Sequence, residues 1–214
     1  MARTKTLSVP EIGDKAPEFY LPSAQGGQLR LDMRTARGPV VVVFYSGDWS
    51  EEDVAYFKDL ATREDEINLT GTSIVGIGIG EPHEARDFAR KTGLKSYILY
   101  DYSGAAVRGY GLLERDKEHG EYARPATFVV GPDHKVAHAW LKERPKAEEV
   151  LAKLSEITGL PKPAEEEEAD AGEAREKPSP EERERRRAKR RADREATGKG
   201  EAGGGPDNEP AKEG

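Results

Sequence analysis

Residues 40–45 read Val-Val-Val-Val-Phe-Tyr, six β-branched or aromatic side chains without a polar break. A run this short falls below helix length, and a half-exposed strand would alternate apolar with polar residues. The run therefore predicts a central strand covered on both faces. Gly38 and Pro39 punctuate it on one side. On the other, the chain passes through Ser-Gly-Asp-Trp to Ser50, and Val54, Phe57, Leu60 and Ala61 then keep the spacing of an amphipathic helix. A buried strand that runs straight into a helix requires layers packed on both faces of a sheet, and so an α/β architecture.

The start of that helix is specified locally. Ser50 followed by Asp53 fits a capping box, in which the hydroxyl accepts from the third helical amide and the carboxylate reaches back to the cap. Trp49 and Val54 occupy the two positions of a hydrophobic staple. A helix end that satisfies its own amides has less donor capacity left for an anion.

Upstream, residues 11–32 hold two short alternating segments about Gln-Gly-Gly-Gln, which predicts an N-terminal β-hairpin. Downstream, residues 72–79 read as a second buried strand, 81–91 as a helix stopped by Gly93, 96–100 as a third strand and 104–110 as a short helix. The strand–helix–strand order implies parallel pairing with a right-handed crossover. Residues 113–124 read as a charged connection. A hairpin is predicted over 126–130 and 135–140 about Gly-Pro-Asp-His, and a closing helix over 143–158, ended by Gly159. The glycines at 76, 78 and 80 match neither the dinucleotide fingerprint nor a P-loop, so close backbone approach in a packed strand explains them better.

The composition changes near Leu160. Residues 161–214 carry 16 acidic and 13 basic side chains, no aromatic residue and, apart from Thr197, no β-branched one. Such a segment cannot bury enough apolar area to offset its ordering entropy, so a folded domain over 1–160 and a disordered charged tail over 161–214 are expected. Ser179-Pro180-Glu181-Glu182 is a second capping box, predicting a charged helix over 179–197. The basic residues between Arg183 and Arg194 are a candidate contact for nucleic acid or an acidic protein. Their interleaved glutamates favour a solubilising extension instead. The chain's net charge of -7 argues against wholesale nucleic-acid binding, and no stretch approaches the length of a membrane span. No membrane contact is expected, and without an apolar leader the expected location is the cytoplasm.

Cysteine is absent from all 214 residues, which removes disulfide exchange, zinc-thiolate sites and sulfenic acid chemistry. Met1 and Met33 cannot substitute for a catalytic thiol.

Against this background the chain resembles the AhpC/TSA branch of the peroxiredoxins, in the thioredoxin superfamily. The resemblance rests on Gly-Asp-Lys-Ala-Pro-Glu-Phe at 13–19, the strand end at 39–49, Glu-Ala-Arg-Asp-Phe-Ala-Arg-Lys-Thr-Gly-Leu at 84–94, Ala-Val-Arg-Gly-Tyr-Gly at 106–111 and Arg-Pro-Ala-Thr-Phe-Val-Val-Gly-Pro-Asp-His at 124–134. It implies a thioredoxin-like fold of peroxiredoxin type, a central mixed sheet flanked by helices, and antioxidant or oxidoreductase ancestry. In one register it places Ser50 where the peroxidatic cysteine stands and Asp53 at the partner cysteine. In a second, Ser46 takes the place of a proline, Ser50 of a threonine and Asp53 of the cysteine. Trp49 favours the first, and both leave the site without sulfur. Pro125 resembles the superfamily's cis-proline, and Arg124 the arginine that helps to hold peroxide.

Two uses are open to each of these residues. Ser50 as a nucleophile needs a base, and His83, His119, His134 and His138 fall in no motif that supplies one. As a helix cap it needs nothing more. Asp53 and Glu52 can be read as acid and base or as complements to a helix dipole, and Arg124 as an anion ligand or a salt-bridge partner. The reading that results is a redoxin domain that has lost its catalytic cysteine and serves as a binding or scaffold module, needing no cofactor. Its protein partner is expected on the thioredoxin-fold face or the charged tail. The alternative is an oxidoreductase that works through non-thiol chemistry or a partner's thiol.

Overall fold

A computed structural model of the chain describes residues 8–141 and 143–160. The tail, including the helix expected over 179–197 and the Arg183–Arg194 cluster, lies outside the described residues.

Tyr20–Pro22 (β1) and Gln28–Arg30 (β2) pair antiparallel as the expected hairpin. Gly26 and Gly27 in its turn take φ of 97° and 75°, a region that favours glycine. A single helical turn, Leu31–Thr35 (α1), leads to Val40–Phe44 (β3), every residue of which is buried. Glu51–Thr62 (α2) follows. A break at Arg63 separates it from Glu64–Leu69 (α3), a helix that the sequence did not signal.

The parallel unit then forms as expected. Ser73–Gly78 (β4) is buried throughout, and Pro82–Thr92 (α4) starts at a capping box of Glu81 and Glu84 and stops at Gly93, whose φ is 73°. Tyr97–Tyr100 (β5) and Ala105–Gly109 (α5) complete it.

Residues 113–124 are not a plain connection. Leu113–Asp116 (β6) and Gly120–Ala123 (β7) pair antiparallel as a separate two-stranded hairpin, closed by Asp116, which accepts from the amides of Glu118 and His119 at 2.9 and 2.6 Å. Ala126–Val130 (β8) and Val136–Trp140 (β9) form the last predicted hairpin. The closing helix, Ala147–Thr158 (α6), begins four residues later than its pattern suggested, because Pro145 and the cap at Lys146 set its start.

The main sheet has the order β5-β4-β3-β8-β9, with β3, β4 and β5 parallel and β8 and β9 antiparallel. Period-two alternation divides β3 between two cores. Val40, Val42 and Phe44 pack with Phe128 and Tyr110 on one face. Val41, Val43 and Tyr45 pack with Phe57, Phe88 and Leu154 on the other, beneath α2, α4 and α6. Glycine at 76 and 78 is what this packing requires. A Cβ at Gly76 would sit 2.6 Å from the Phe57 ring, and one at Gly78 would sit 2.5 Å from the Tyr45 ring. Among the described residues no helix is long and apolar enough to cross a membrane.

Candidate functional site

At the carboxyl end of β3 the chain turns over Gly47, with the Ser50 amide donating to the Gly47 carbonyl at 3.3 Å, and enters α2. Ser50 is the cap. Its hydroxyl accepts from the Asp53 amide at 3.2 Å, so this half of the capping box forms. The reciprocal half does not. The Asp53 carboxylate turns inward, and its Oδ2 accepts from the Ser46 amide at 2.7 Å. Its Oδ1 meets Nη2 of Arg144, which also donates to the Phe44 carbonyl at 2.8 Å.

Arg144 and Asp53 form a buried ion pair, their side chains 9% and 1% exposed. The guanidinium lies 4.8 Å from the Tyr56 ring centroid, while the Tyr56 hydroxyl bonds Thr127 at 3.1 Å. Burial pushes the Tyr56 phenol up to about 12, an effect that the Thr127 bond and the Arg144 charge oppose. Asp53 is therefore no solvated complement to the helix dipole. Both its oxygens are engaged within the fold, one by the Ser46 amide and one by Arg144.

Trp49 departs from the staple expected of it. Val54 packs into the core under α2, whereas the indole is 45% exposed and stacks on His119 at 3.7 Å, with Tyr122 edge-on at 5.7 Å. The hairpin β6–β7, read from sequence as a charged connection, supplies both partners. His119 is anchored by Asp116, 3.1 Å from its Nδ1. Hydrogen bonds from the His119 backbone and ring hold the Asp116 carboxyl below the usual carboxylate range.

A cleft of about 310 Å³ opens between Trp49, this hairpin and the ends of β3 and β4. It lies outside the carboxyl ends of parallel strands, where open α/β sheets place ligands. Ser46 borders the cleft and joins it to the buried pair through its amide. Ser50, Asp53, Arg124 and Pro125 do not line it.

Arg124 points elsewhere. Its Nη1 lies 3.9 Å from Glu114, and both side chains are about two-fifths exposed. The Arg124–Pro125 bond is trans, which corrects the cis-proline expectation. The Arg124 amide donates to the Leu112 carbonyl at 2.7 Å, and Arg124 and Pro125 alone join β7 to β8. Of the five residues singled out from sequence, the structure joins Ser50 and Asp53 at the start of α2 and places Trp49 at the mouth of the cleft; Pro125 lies next to Ala126, the partner of Phe44 at the end of β3, but neither it nor Arg124 lines the cleft. The structure adds Arg144, which sequence reading missed. The chain has two Arg-Pro pairs, and the buried arginine is in the second.

Residues 12–139 match the AhpC/TSA family. The chain belongs to that family. Peroxiredoxin Bcp of Escherichia coli K12 is 26% identical over 134 residues, which is 61% of this chain and 85% of that protein. Among solved structures, Peroxidoxin BcpB from Mycobacterium tuberculosis superposes with a TM-score of 0.62 at 24% identity, over 69% of this chain and 98% of that one. A cysteine-to-serine mutant of Xylella fastidiosa PrxQ superposes with a TM-score of 0.62 at 19% identity, over 69% and 97%. At these identities the superpositions establish the thioredoxin-like peroxiredoxin fold. Within this AhpC/TSA member the junction after β3 carries a capped serine and a buried carboxylate, and the chain has no thiol to place there.

Proposed function

We propose that this AhpC/TSA domain is a cytoplasmic binding module that does not turn over peroxide. The observation that carries the reading is Asp53. It stands in the first turn of α2, in one of the two registers for the family's cysteine, with one oxygen on the Ser46 amide and the other on Arg144. A thiolate needs positive surroundings to be formed and exposed. Here an arginine and a backbone amide are committed to a carboxylate that is not a peroxide nucleophile. Ser50 remains a protonated hydroxyl in a capping bond, and among the described residues no histidine bonds it.

The test is peroxide consumption by the full chain with dithiothreitol as reductant. The expected rate is that of a heat-killed control. Turnover above that control that disappears in Ser50→Ala or Asp53→Asn would overturn the proposal. Two restorations then ask which register the ancestral site used. Asp53→Cys places sulfur beside Arg144, and Ser50→Cys places it at the cap. Arg144 favours a thiolate at the first, whereas the half-buried cap position gives peroxide the better access at the second, so whichever variant regains turnover identifies the register.

The partner face in this reading is the end of the sheet where Trp49 and the β6–β7 hairpin project, with the charged tail as a tether. Trp49 is among the few large apolar side chains left exposed, which suits it to contact.

A further inference from the structure

The cleft beyond β3 and β4 has an unusual lining for its position. Asp48, Glu81, Glu84 and Glu121 border it, and no lysine or arginine does. An anion is disfavoured for a second reason. The helix end that opens on the cleft, at α4, has its first amides taken by Glu81 and Glu84, and the start of α2 is capped by Ser50.

Three of the carboxylates are only half engaged. Asp48 uses Oδ2 for Lys91 at 2.6 Å, Glu84 uses Oε2 for the Glu81 amide at 2.7 Å, and Glu121 uses Oε2 for Arg108 at 3.3 Å. Their other oxygens have no partner among the described residues.

The floor carries an independent sign of a ligand. Tyr45 and Ser46 are 4% and 6% exposed, both border the cleft, and neither hydroxyl bonds any described residue. Neither oxygen is sealed from solvent, so these largely buried side chains open their hydroxyls on the cleft, where a ligand can bond them. Burial raises the Tyr45 phenol, and the negative charges of Asp53, Glu84 and Asp48 raise it further, so the hydroxyl stays protonated. The walls are the rings of Trp49, Tyr100 and Tyr122, whose faces attract cations.

We propose that this cleft binds the guanidinium group of an arginine-like ligand, with Asp48 and Glu121 as its carboxylate partners, the rings of Trp49, Tyr100 and Tyr122 around it, and the Tyr45 and Ser46 hydroxyls at its floor. A planar fork of donors suits carboxylate oxygens and aromatic faces together, which a compact ammonium does less well. The volume, near the lower end for ligand pockets, fits a group of amino-acid size. This assignment rests on the binding-module reading and names its ligand chemistry.

Isothermal titration of the full chain with arginine amide tests it, with the uncharged isostere citrulline amide and inorganic phosphate as controls. A peptide carrying one internal arginine is a further probe. Saturable binding of arginine amide or the peptide is expected, with citrulline amide at least about tenfold weaker, the loss that follows from removing charge-assisted hydrogen bonds. Whichever of the two charged probes binds more tightly identifies the source as a small molecule or a polypeptide. Glu121→Gln, on an exposed hairpin, should weaken binding about tenfold, and Tyr45→Phe, which keeps the ring stacked on Phe88, should weaken it severalfold. Equal binding of citrulline amide, preference for phosphate, indifference to both substitutions, or no saturation by either charged probe would each overturn the assignment. Those results leave the absence of peroxidase activity untouched. Peroxide turnover would overturn that earlier proposal whatever the titration shows.

Discussion

At Asp53 the effect of a substitution depends on what is done to Arg144. Removing one member of a buried pair strands the other charge, so Arg144→Met should cost about 3–5 kcal/mol in urea unfolding. Asp53→Asn combined with Arg144→Met should recover part of that loss, because the amide oxygen can still accept from Ser46 while no charge remains buried. A double variant no more stable than Arg144→Met alone would show that the two residues are not coupled. Ser50→Ala removes only a cap and should cost about 1 kcal/mol. The cap was legible because Ser50 and Asp53 are three residues apart and their bond is local. Arg144 was not, because it meets Asp53 across 91 positions of sequence. No periodicity or spacing marks an arginine that a loop turns inward.

Among the elements, the hairpin β6–β7 and strand β4 show what kind of information a segment carries. Every residue of β3 and β4 is buried, so their sequences are apolar runs that announce themselves. The hairpin is Leu-Glu-Arg-Asp against Gly-Glu-Tyr-Ala, largely wet, and no apolar alternation betrays it. The short α1 and α3 were missed for a related reason, since five or six residues are too few to show a helical period. The hairpin's turn depends on Asp116. Its carboxyl titrates lower in the fold than in the unfolded chain, so its contribution is complete above about pH 4 and is lost as pH falls below that through the folded value. In a Trp140→Phe background, Trp49 fluorescence should therefore change on acidification below pH 4, and that transition should be absent in Asp116→Asn. In β4, Gly76→Ala would drive a methyl against Phe57 and Ile98, 2.6 and 2.8 Å away and fully buried. A loss of about 1–3 kcal/mol in urea unfolding is expected from such overpacking.

Over the whole molecule, the parallel strands, the last hairpin and the covering layers followed from the order of buried strands and amphipathic helices, and the mixed sheet from the family resemblance, whereas the cleft followed from neither. Its walls come from the ends of β3, β4 and β5 and from the hairpin, and only the folded chain brings Trp49 and His119 together. The buried Asp53–Arg144 pair also bears on oxidative stress. A thiolate in that turn would be carried by excess peroxide from sulfenic to sulfonic acid, changing its size and hydrogen bonding at each stage. A carboxylate is already at the end of its own ladder. Treatment with millimolar peroxide should leave the melting temperature unchanged and add oxygen only at the methionines, with Met33, 60% exposed, a ready target. A domain built this way keeps the same charge and shape in the conditions that would disable a sulfur-bearing version of the same fold.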